Sequence, residues 1–141
     1  EEMWNRASDG AAPFWRVAYH TLFFTHLYLQ QSEKTFERWE KHQDEAHCIG
    51  GIPWENFRAP KACAAYTKQQ ILEYWQACDG MIDAGVDRLD LEAGQCGFAW
   101  YKMGTLEHQI VNIRHVQHHA AALSSRLRRE AEIGVGWVGK G

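Results

Sequence analysis

The chain has 141 residues, 45% of them hydrophobic, and its 15 basic and 18 acidic side chains give a formal charge of −3 at pH 7. This length and apolar fraction predict one globular domain that spans residues 1–141 and buries a substantial core. The balanced charge argues against a nucleic-acid-binding surface and against attraction to an anionic membrane. No apolar run reaches the roughly 18–20 residues that a membrane span requires.

The cysteines are spaced too widely to form a metal-binding or redox dyad. They are Cys48, Cys63, Cys78 and Cys96. The sequence shows no secretory signal pattern, and in such a chain free thiols are more common than disulfides. We therefore expect a cytoplasmic protein with unpaired cysteines.

A first long helix is predicted over residues 13–31. Pro13 suits its first turn, where the missing N–H costs nothing. Apolar side chains occupy more than one side of this run, which is typical of a helix buried by several neighbours. Ser32 then predicts the start of a short second helix, whose apolar pair is Phe36 and Trp39.

Residues 42–66 lack helical periodicity and predict a long loop, interrupted by glycine and proline. Loops of this length in a compact domain often cover a site. Trp54 and Phe57 are expected to pin the loop to the body of the protein. With Trp100 and Tyr101 of the next loop, these rings either line a pocket or pack in the core, and core packing is the favoured interpretation.

Two further helices complete the predicted fold. Thr67 and Gln70 form a capping-box pattern at the start of a helix over residues 67–90. The last helix is predicted over residues 105–131, and its apolar side chains repeat with a period of 3.6 residues. These side chains are Leu106, Ile110, Ile113, Val116, Ala120, Leu123 and Leu127. Three long helices, one short helix and no strand pattern predict an all-α antiparallel bundle.

The last helix also carries a polar stripe, more than 90° around its axis from the centre of the apolar one. Its members are His108, Asn112, His115 and His119. A polar stripe is usually the wet face of a helix, but histidine is a poor choice for that role when lysine and glutamate are available. His115 and His119 lie one turn apart, and imidazoles at that spacing can share one metal ion. Metal ligation is the favoured interpretation for this pair, with surface histidines as the alternative.

His20 is the best third ligand. A lone buried histidine more often forms a hydrogen bond to a carbonyl group than binds metal, but the downstream pair favours ligation here. Three histidines from two packed helices would leave a divalent metal ion with an open position, which is typical of reactive sites.

The remaining histidines are weaker candidates. His118 points about 100° away from the pair, which predicts a surface or supporting role for it. His26 is expected to be structural. His42, His47 and Cys48 suggest a zinc knuckle only weakly, because such sites use paired, closely spaced ligands.

Four segments of the chain resemble the DinB-like family. Residues 14–22 (FWRVAYHTL), 27–29 (LYL), 100–103 (WYKM) and 112–119 (NIRHVQHH) carry the resemblance. It extends over roughly residues 12–130. It implies a four-helix bundle that binds a divalent metal, often nickel or zinc, through one histidine of the second helix and two of the last. These positions correspond to His20, His115 and His119.

The chain departs from the family pattern at two places. It has Ala121, Ala122 and Leu123 where relatives tend to continue with Gly-Gln-Leu. We also expect the first helix of the bundle to be truncated or missing, since only residues 1–8 could form its end. A three-helix remnant would expose an apolar patch. We therefore expect a missing N-terminal segment or a partner subunit, such as the second copy of a homodimer.

The resemblance implies a metal-dependent enzyme acting on a small molecule, with a thiol S-transferase that uses a low-molecular-weight thiol as the first hypothesis. A non-catalytic metal-binding or ligand-binding module, a metal-dependent hydrolase and a plain helical protein remain as alternatives. Histidine ligands must be neutral, so we expect metal to be lost as the pH falls below roughly 6.

Overall fold

The computed structural model describes residues 2–8, 10–137 and 139. Within these residues the protein is all-α, as predicted, with four α-helices and no β-strand. The helices are α1 (Glu2–Asn5), α2 (Phe14–Tyr28), α3 (Lys68–Asp87) and α4 (Thr105–Ala131), and single 3-10 turns occupy Glu33–Thr35 and Pro53–Glu55.

The predicted bounds of the long helices hold to within three residues, and those of α4 match. The capping box at the start of α3 is also confirmed. The Thr67 hydroxyl accepts a hydrogen bond from the Gln70 amide at 3.2 Å, and the Gln70 side-chain oxygen accepts one from the Thr67 amide at 2.8 Å. The two reciprocal bonds satisfy donors that a helix start otherwise leaves unpaired.

The short helix predicted after Ser32 begins at Glu33, but it ends at Thr35 and does not include Phe36 and Trp39. Only one 3-10 turn forms there, and Phe36 already has extended backbone angles. The Thr35 hydroxyl donates to the Ser32 carbonyl at 3.0 Å, a local bond that competes with helix propagation. Trp39 instead stacks on Tyr74 of α3, with ring centroids 4.6 Å apart, so the segment is extended and packed.

Helix α2 is the centre of the fold and packs against both α3 and α4. The hydrophobic core is rich in aromatic rings, and α3 contributes Ile71, Tyr74 and Cys78 to it. Tyr19 is fully buried and stacks on Tyr66, with ring centroids 4.5 Å apart. No side chain of α4 belongs to this cluster of buried apolar residues. The contact between α2 and α4 is therefore of a different chemical kind.

Helix α4 buries the face opposite to the one its apolar periodicity predicts. Ile113 is 60% exposed, whereas His108 and His119 are 1% and 7% exposed. Leu106 and Ile110 are exposed with Ile113. An apolar stripe ordinarily faces the core, but in α4 the polar stripe lies against α2. The histidines of that stripe find their neighbours on α2, as described below.

Helix α3 exposes an apolar stripe as well. Leu72, Trp75, Ile82 and Val86 are each at least 39% exposed. The buried residues of this helix, among them Ile71 and Tyr74, face α2. Both helices that flank α2 thus present apolar side chains to solvent in addition to the side that they bury.

The loop over residues 42–66 is confirmed, but its anchors differ from those expected. Trp54 and Phe57 are 79% and 73% exposed and do not pin it. Ala46, Ile52 and Tyr66 are the buried members that hold it to the core. The Tyr66 hydroxyl also donates to the Lys41 carbonyl at 2.7 Å, which closes the two ends of the loop on each other.

A buried arginine fastens the N-terminal segment to α4. The Arg126 guanidinium donates to the carbonyl oxygens of Arg6 and Ala12 and to the Glu130 carboxylate. The side chain of Arg126 is only 6% exposed. Arg126 thus joins the chain before α2 to the last turns of α4.

The expected free cysteines are confirmed, since all four are unpaired. Among the residues described, no helix combines the length and the apolarity needed to cross a bilayer.

Candidate metal site

Three histidines converge where α2 crosses α4. His20 comes from α2, and His115 and His119 come from consecutive turns of α4. One nitrogen atom of each ring lies within 4.8 Å of the other two, and the Nε2 atoms of His20 and His115 are 3.0 Å apart. Two nitrogens bound to one tetrahedral zinc ion lie about 3.4 Å apart, given Zn–N bonds of about 2.0–2.1 Å. Small side-chain rotations would therefore bring all three nitrogens to a common ion.

The orientation of His20 is fixed by a backbone contact. Its Nδ1 atom lies 2.6 Å from the main-chain carbonyl oxygen of His47. A carbonyl oxygen can only accept, so Nδ1 carries the proton and Nε2 presents its lone pair. A backbone carbonyl that holds one ring nitrogen while the other faces the site is the usual supporting contact of a metal-binding histidine.

The ring of His115, which meets His20 in the site, lacks a hydrogen-bond partner for one of its nitrogens. With His20 Nε2 as the acceptor, His115 donates its Nε2 proton across the 3.0 Å contact. The Nδ1 atom of His115 is then left buried without a hydrogen-bond partner. An ion bound by both Nε2 atoms would replace the shared proton, and the His115 proton would move to Nδ1. Three neutral imidazole nitrogens within 4.8 Å of one another are a donor set that suits zinc or nickel, so the residues fit a divalent metal ion.

The electrostatics keep the triad neutral. Burial is the main cause that lowers the pKa of each of His20, His115 and His119 to about 4. The neighbouring imidazoles lower it further, because two rings in contact cannot both be charged without repulsion. Neutral imidazole is the form that binds a metal ion, so the site is ready for ligation at neutral pH.

The structure thus brings together the three histidines that the sequence singles out. Metal binding by them remains a prediction. His20 also forms the hydrogen bond to a carbonyl that was the alternative for a lone buried histidine. The two roles are compatible, since they use different nitrogens of the ring.

The other predicted roles on these helices can be compared with the contacts. His26 Nδ1 lies 3.1 Å from the Tyr74 hydroxyl, away from the triad, and is structural as expected. His118 is exposed. His108 is buried, and its ring lies 4.6 Å from that of Tyr28. It belongs to the aromatic packing between α2 and α4.

The zinc knuckle weakly suggested by His42, His47 and Cys48 is not formed. His42 is engaged by the Tyr19 hydroxyl at 2.7 Å, and His47 stacks on Phe23 with ring centroids 4.1 Å apart. Within the described ranges, only the triad groups three potential ligands. The supporting role of His47 could not be predicted from the sequence, since a backbone carbonyl leaves no signal in the residue pattern.

The aromatic loop residues divide between the two interpretations. Tyr101 packs on Tyr28, with ring centroids 6.0 Å apart, as the favoured core interpretation requires. Trp54 and Trp100 are more than half exposed, and both line a cavity. For these two residues, the favoured interpretation is wrong and the pocket interpretation is supported. Phe57 is 73% exposed, so core packing is wrong for it as well.

Comparison of the chain with protein-family models, with curated proteins and with solved structures finds no match. The resemblance to DinB-like proteins therefore depends on the sequence segments and on the histidine positions alone. What the site can do has to be argued from its own geometry.

Proposed function

We propose that His20, His115 and His119 bind one divalent metal ion, zinc or nickel, and that the chain is a metal-dependent enzyme that acts on a small molecule. The observation that carries the proposal is the 3.0 Å contact between imidazoles 95 residues apart in the sequence. Three protein ligands leave a fourth tetrahedral position for a substrate or water.

The same positions support a DinB-like antiparallel bundle as the fold. One ligand lies on the helix that precedes the long loop, and two lie one turn apart on the last helix, as the resemblance implies. Among the described residues, α1 spans only Glu2–Asn5.

A divalent ion held here would act as a Lewis acid that lowers the pKa of a thiol or of water. The resemblance to DinB-like proteins favours a low-molecular-weight thiol as the co-substrate of an S-transferase. In that reaction the sulfur forms a bond to an electrophilic carbon, the leaving group departs with its electron pair, and the thiol proton passes to solvent. His47 contributes by holding His20 in the tautomer that offers Nε2.

Metal binding is tested by titrating zinc and nickel into metal-free protein, with the bound metal measured by mass spectrometry. One ion per chain is expected, and replacing His20, His115 or His119 with alanine should weaken binding by more than about 100-fold. His118→Ala is the matched control, because that ring neighbours the triad but is exposed. No bound ion, or equal losses in His118→Ala and His119→Ala, would contradict the site.

Activity is tested by supplying the zinc-loaded protein with glutathione, bacillithiol or mycothiol and an electrophile such as monobromobimane. Thioether formation that is lost in His119→Ala would support the transferase. Metal binding without turnover of any thiol would leave a binding module or a hydrolase.

A further inference from the structure

An apolar cavity lies beside the triad. Its volume is about 660 Å³, within the range of small-molecule sites. Its apolar lining comes from α2, the segment that follows it and the two long loops, and consists of Phe23, Phe24, Leu27, Phe36, Trp54 and Trp100. Five of these six side chains are aromatic, so the walls offer flat rings against which another flat group can pack.

Two of the rings are exposed although they line the cavity. Trp54 is 79% exposed and Trp100 is 52% exposed. They come from different loops and lie at the edge of the cavity, where a bound molecule would cover part of both. Trp54 is therefore placed to contact a ligand and contributes little to the core.

The cavity adjoins the metal site through shared walls. A smaller cavity of about 200 Å³ is lined by His20, and it shares Phe24, His47 and Trp54 with the larger one. The Phe24 ring lies 4.8 Å from that of His20 and 5.6 Å from that of His115. A molecule with its apolar part in the larger cavity would thus have its other end next to the triad.

The formal charges of the side chains that line the cavity sum to zero. Arg38 and Glu33 both line it, one positive and one negative. Arg38 forms a 3.8 Å ion pair with Asp44, which lies outside this lining. A lining with no net charge and mostly aromatic walls favours an uncharged apolar group over a carboxylate or an amine.

We propose that this aromatic cavity binds an uncharged aromatic group of the substrate and places the reactive end of that substrate at the triad. The proposal that the cavity binds an aromatic group depends on the residues that line it and does not require a bound ion. The placement of the reactive end at the triad depends on the proposed function.

The first experiment measures binding to metal-free protein by ligand-observed NMR. The probes are naphthalene-2-carboxamide, naphthalene-2-carboxylate and 2-(aminomethyl)naphthalene, which share one ring system and differ in charge. The neutral amide should bind at least about fivefold more tightly than either ion. No binding of the amide, or tighter binding of an ion, would overturn the proposal.

Tryptophan variants locate the bound ring. Trp54→Ala and Trp100→Ala should each weaken amide binding roughly fivefold, the size expected for one lost aromatic contact. Trp137→Ala is the matched control, because Trp137 is 94% exposed and lies outside the cavity. Equal weakening by all three variants would indicate unspecific adhesion to exposed rings and would overturn the assignment. All three positions are exposed, so the variants should keep the circular dichroism of the parent protein.

The second experiment repeats the measurement with cobalt(II)-loaded protein. The paramagnetic ion should broaden the amide probe's proton signals, and the broadening should disappear in His119→Ala. Binding without broadening in cobalt-loaded protein would overturn the placement at the triad. A protein that binds the amide but no metal would contradict the proposed function alone, whereas one that binds metal but no amide would contradict the cavity alone.

Discussion

Gly51 lies directly against the main chain of Phe57. A β-carbon added at Gly51 would lie 2.6 Å from the Phe57 carbonyl oxygen, closer than such atoms can approach. The Ile52 amide donates to the Arg58 carbonyl at 2.9 Å and closes this tight turn. The turn follows His47, whose carbonyl orients His20, so its shape bears on the metal site.

Gly51→Ala should therefore weaken zinc binding roughly tenfold although it removes no ligand, as supporting contacts of metal-binding histidines usually do when they are disturbed. The reason is that the turn must shift to admit the β-carbon, and only three residues separate Gly51 from His47, whose carbonyl holds His20. Gly50→Ala is the control, since nothing lies within 4 Å of a β-carbon added there. Calorimetric titration of both variants checks the prediction, and equal zinc affinities would show that the turn does not support His20.

The stability of the metal-free protein should fall as the pH falls from about 6.5 to about 4. Burial lowers the pKa of His20, His115 and His119 to about 4 in the folded state, whereas histidines in an unfolded chain titrate near 6.5. Between these values the unfolded chain binds more protons, so protonation favours unfolding. Above pH 6.5 the triad should add no pH dependence.

Urea unfolding at several pH values measures this effect. His119→Gln should make the slope of unfolding free energy against pH shallower in the same window, because one buried imidazole is removed. His118→Gln should keep most of the slope, since that side chain is exposed. A slope that is the same in all three proteins would mean that the triad does not remain neutral in the folded state.

Zinc should stay bound at lower pH than the ordinary pKa of imidazole suggests. The expectation of metal loss below roughly pH 6 used that ordinary value. The triad's pKa values of about 4 mean that protons compete for the folded site only at lower pH. Equilibrium dialysis against zinc at pH 7, 6, 5 and 4.5 checks this, and half-loss at or above pH 6 would contradict it.

Ile71 and Ile113 test which face each helix buries. Ile71 is 8% exposed and belongs to the core, whereas Ile113 is 60% exposed. Ile71→Ala should lower the free energy of unfolding by about 2–5 kcal/mol. Ile113→Ala should lower it by less than about 1 kcal/mol, since truncation of an exposed side chain leaves no cavity. Urea denaturation compares the two, and an equal loss at Ile113 would indicate that another segment or a second copy covers it in solution.

The helices themselves could be predicted because their signals are local. The capping box at Thr67 and the continuous periodicity of residues 105–131 depend on neighbours in sequence, and both agree with the structure. The end of the short helix at Thr35 could not be predicted in this way. Its backbone is set by the Thr35 hydroxyl and by the stacking of Trp39 on Tyr74, which are contacts that helix propensity does not describe.

The triad could be predicted from spacing, but its surroundings could not. His115 and His119 share a face on any helix, so their pairing follows from periodicity alone. The burial of that face does not follow, because an apolar stripe ordinarily identifies the packed side. The histidines lie against α2, where His20 meets them, and this long-range complementarity overrides the local pattern. The supporting carbonyl of His47 belongs to the backbone and could be found only from the structure.

Arg126 and Arg128 separate a structural arginine from a surface one within a single turn. Arg126 is buried and donates to the carbonyls of Arg6 and Ala12, whereas Arg128 is exposed. Arg126→Met should lower the free energy of unfolding by about 2–4 kcal/mol, because both carbonyls and the Glu130 carboxylate lose a charged donor. Arg128→Met should change it by less than about 0.5 kcal/mol.

The Arg126 variant should also speed limited proteolysis within residues 2–12, since the segment loses its anchor on α4. Unfolding in urea and mass spectrometry of the digest measure the two effects, and equal behaviour of the two variants would show that the N-terminal segment is held by other contacts.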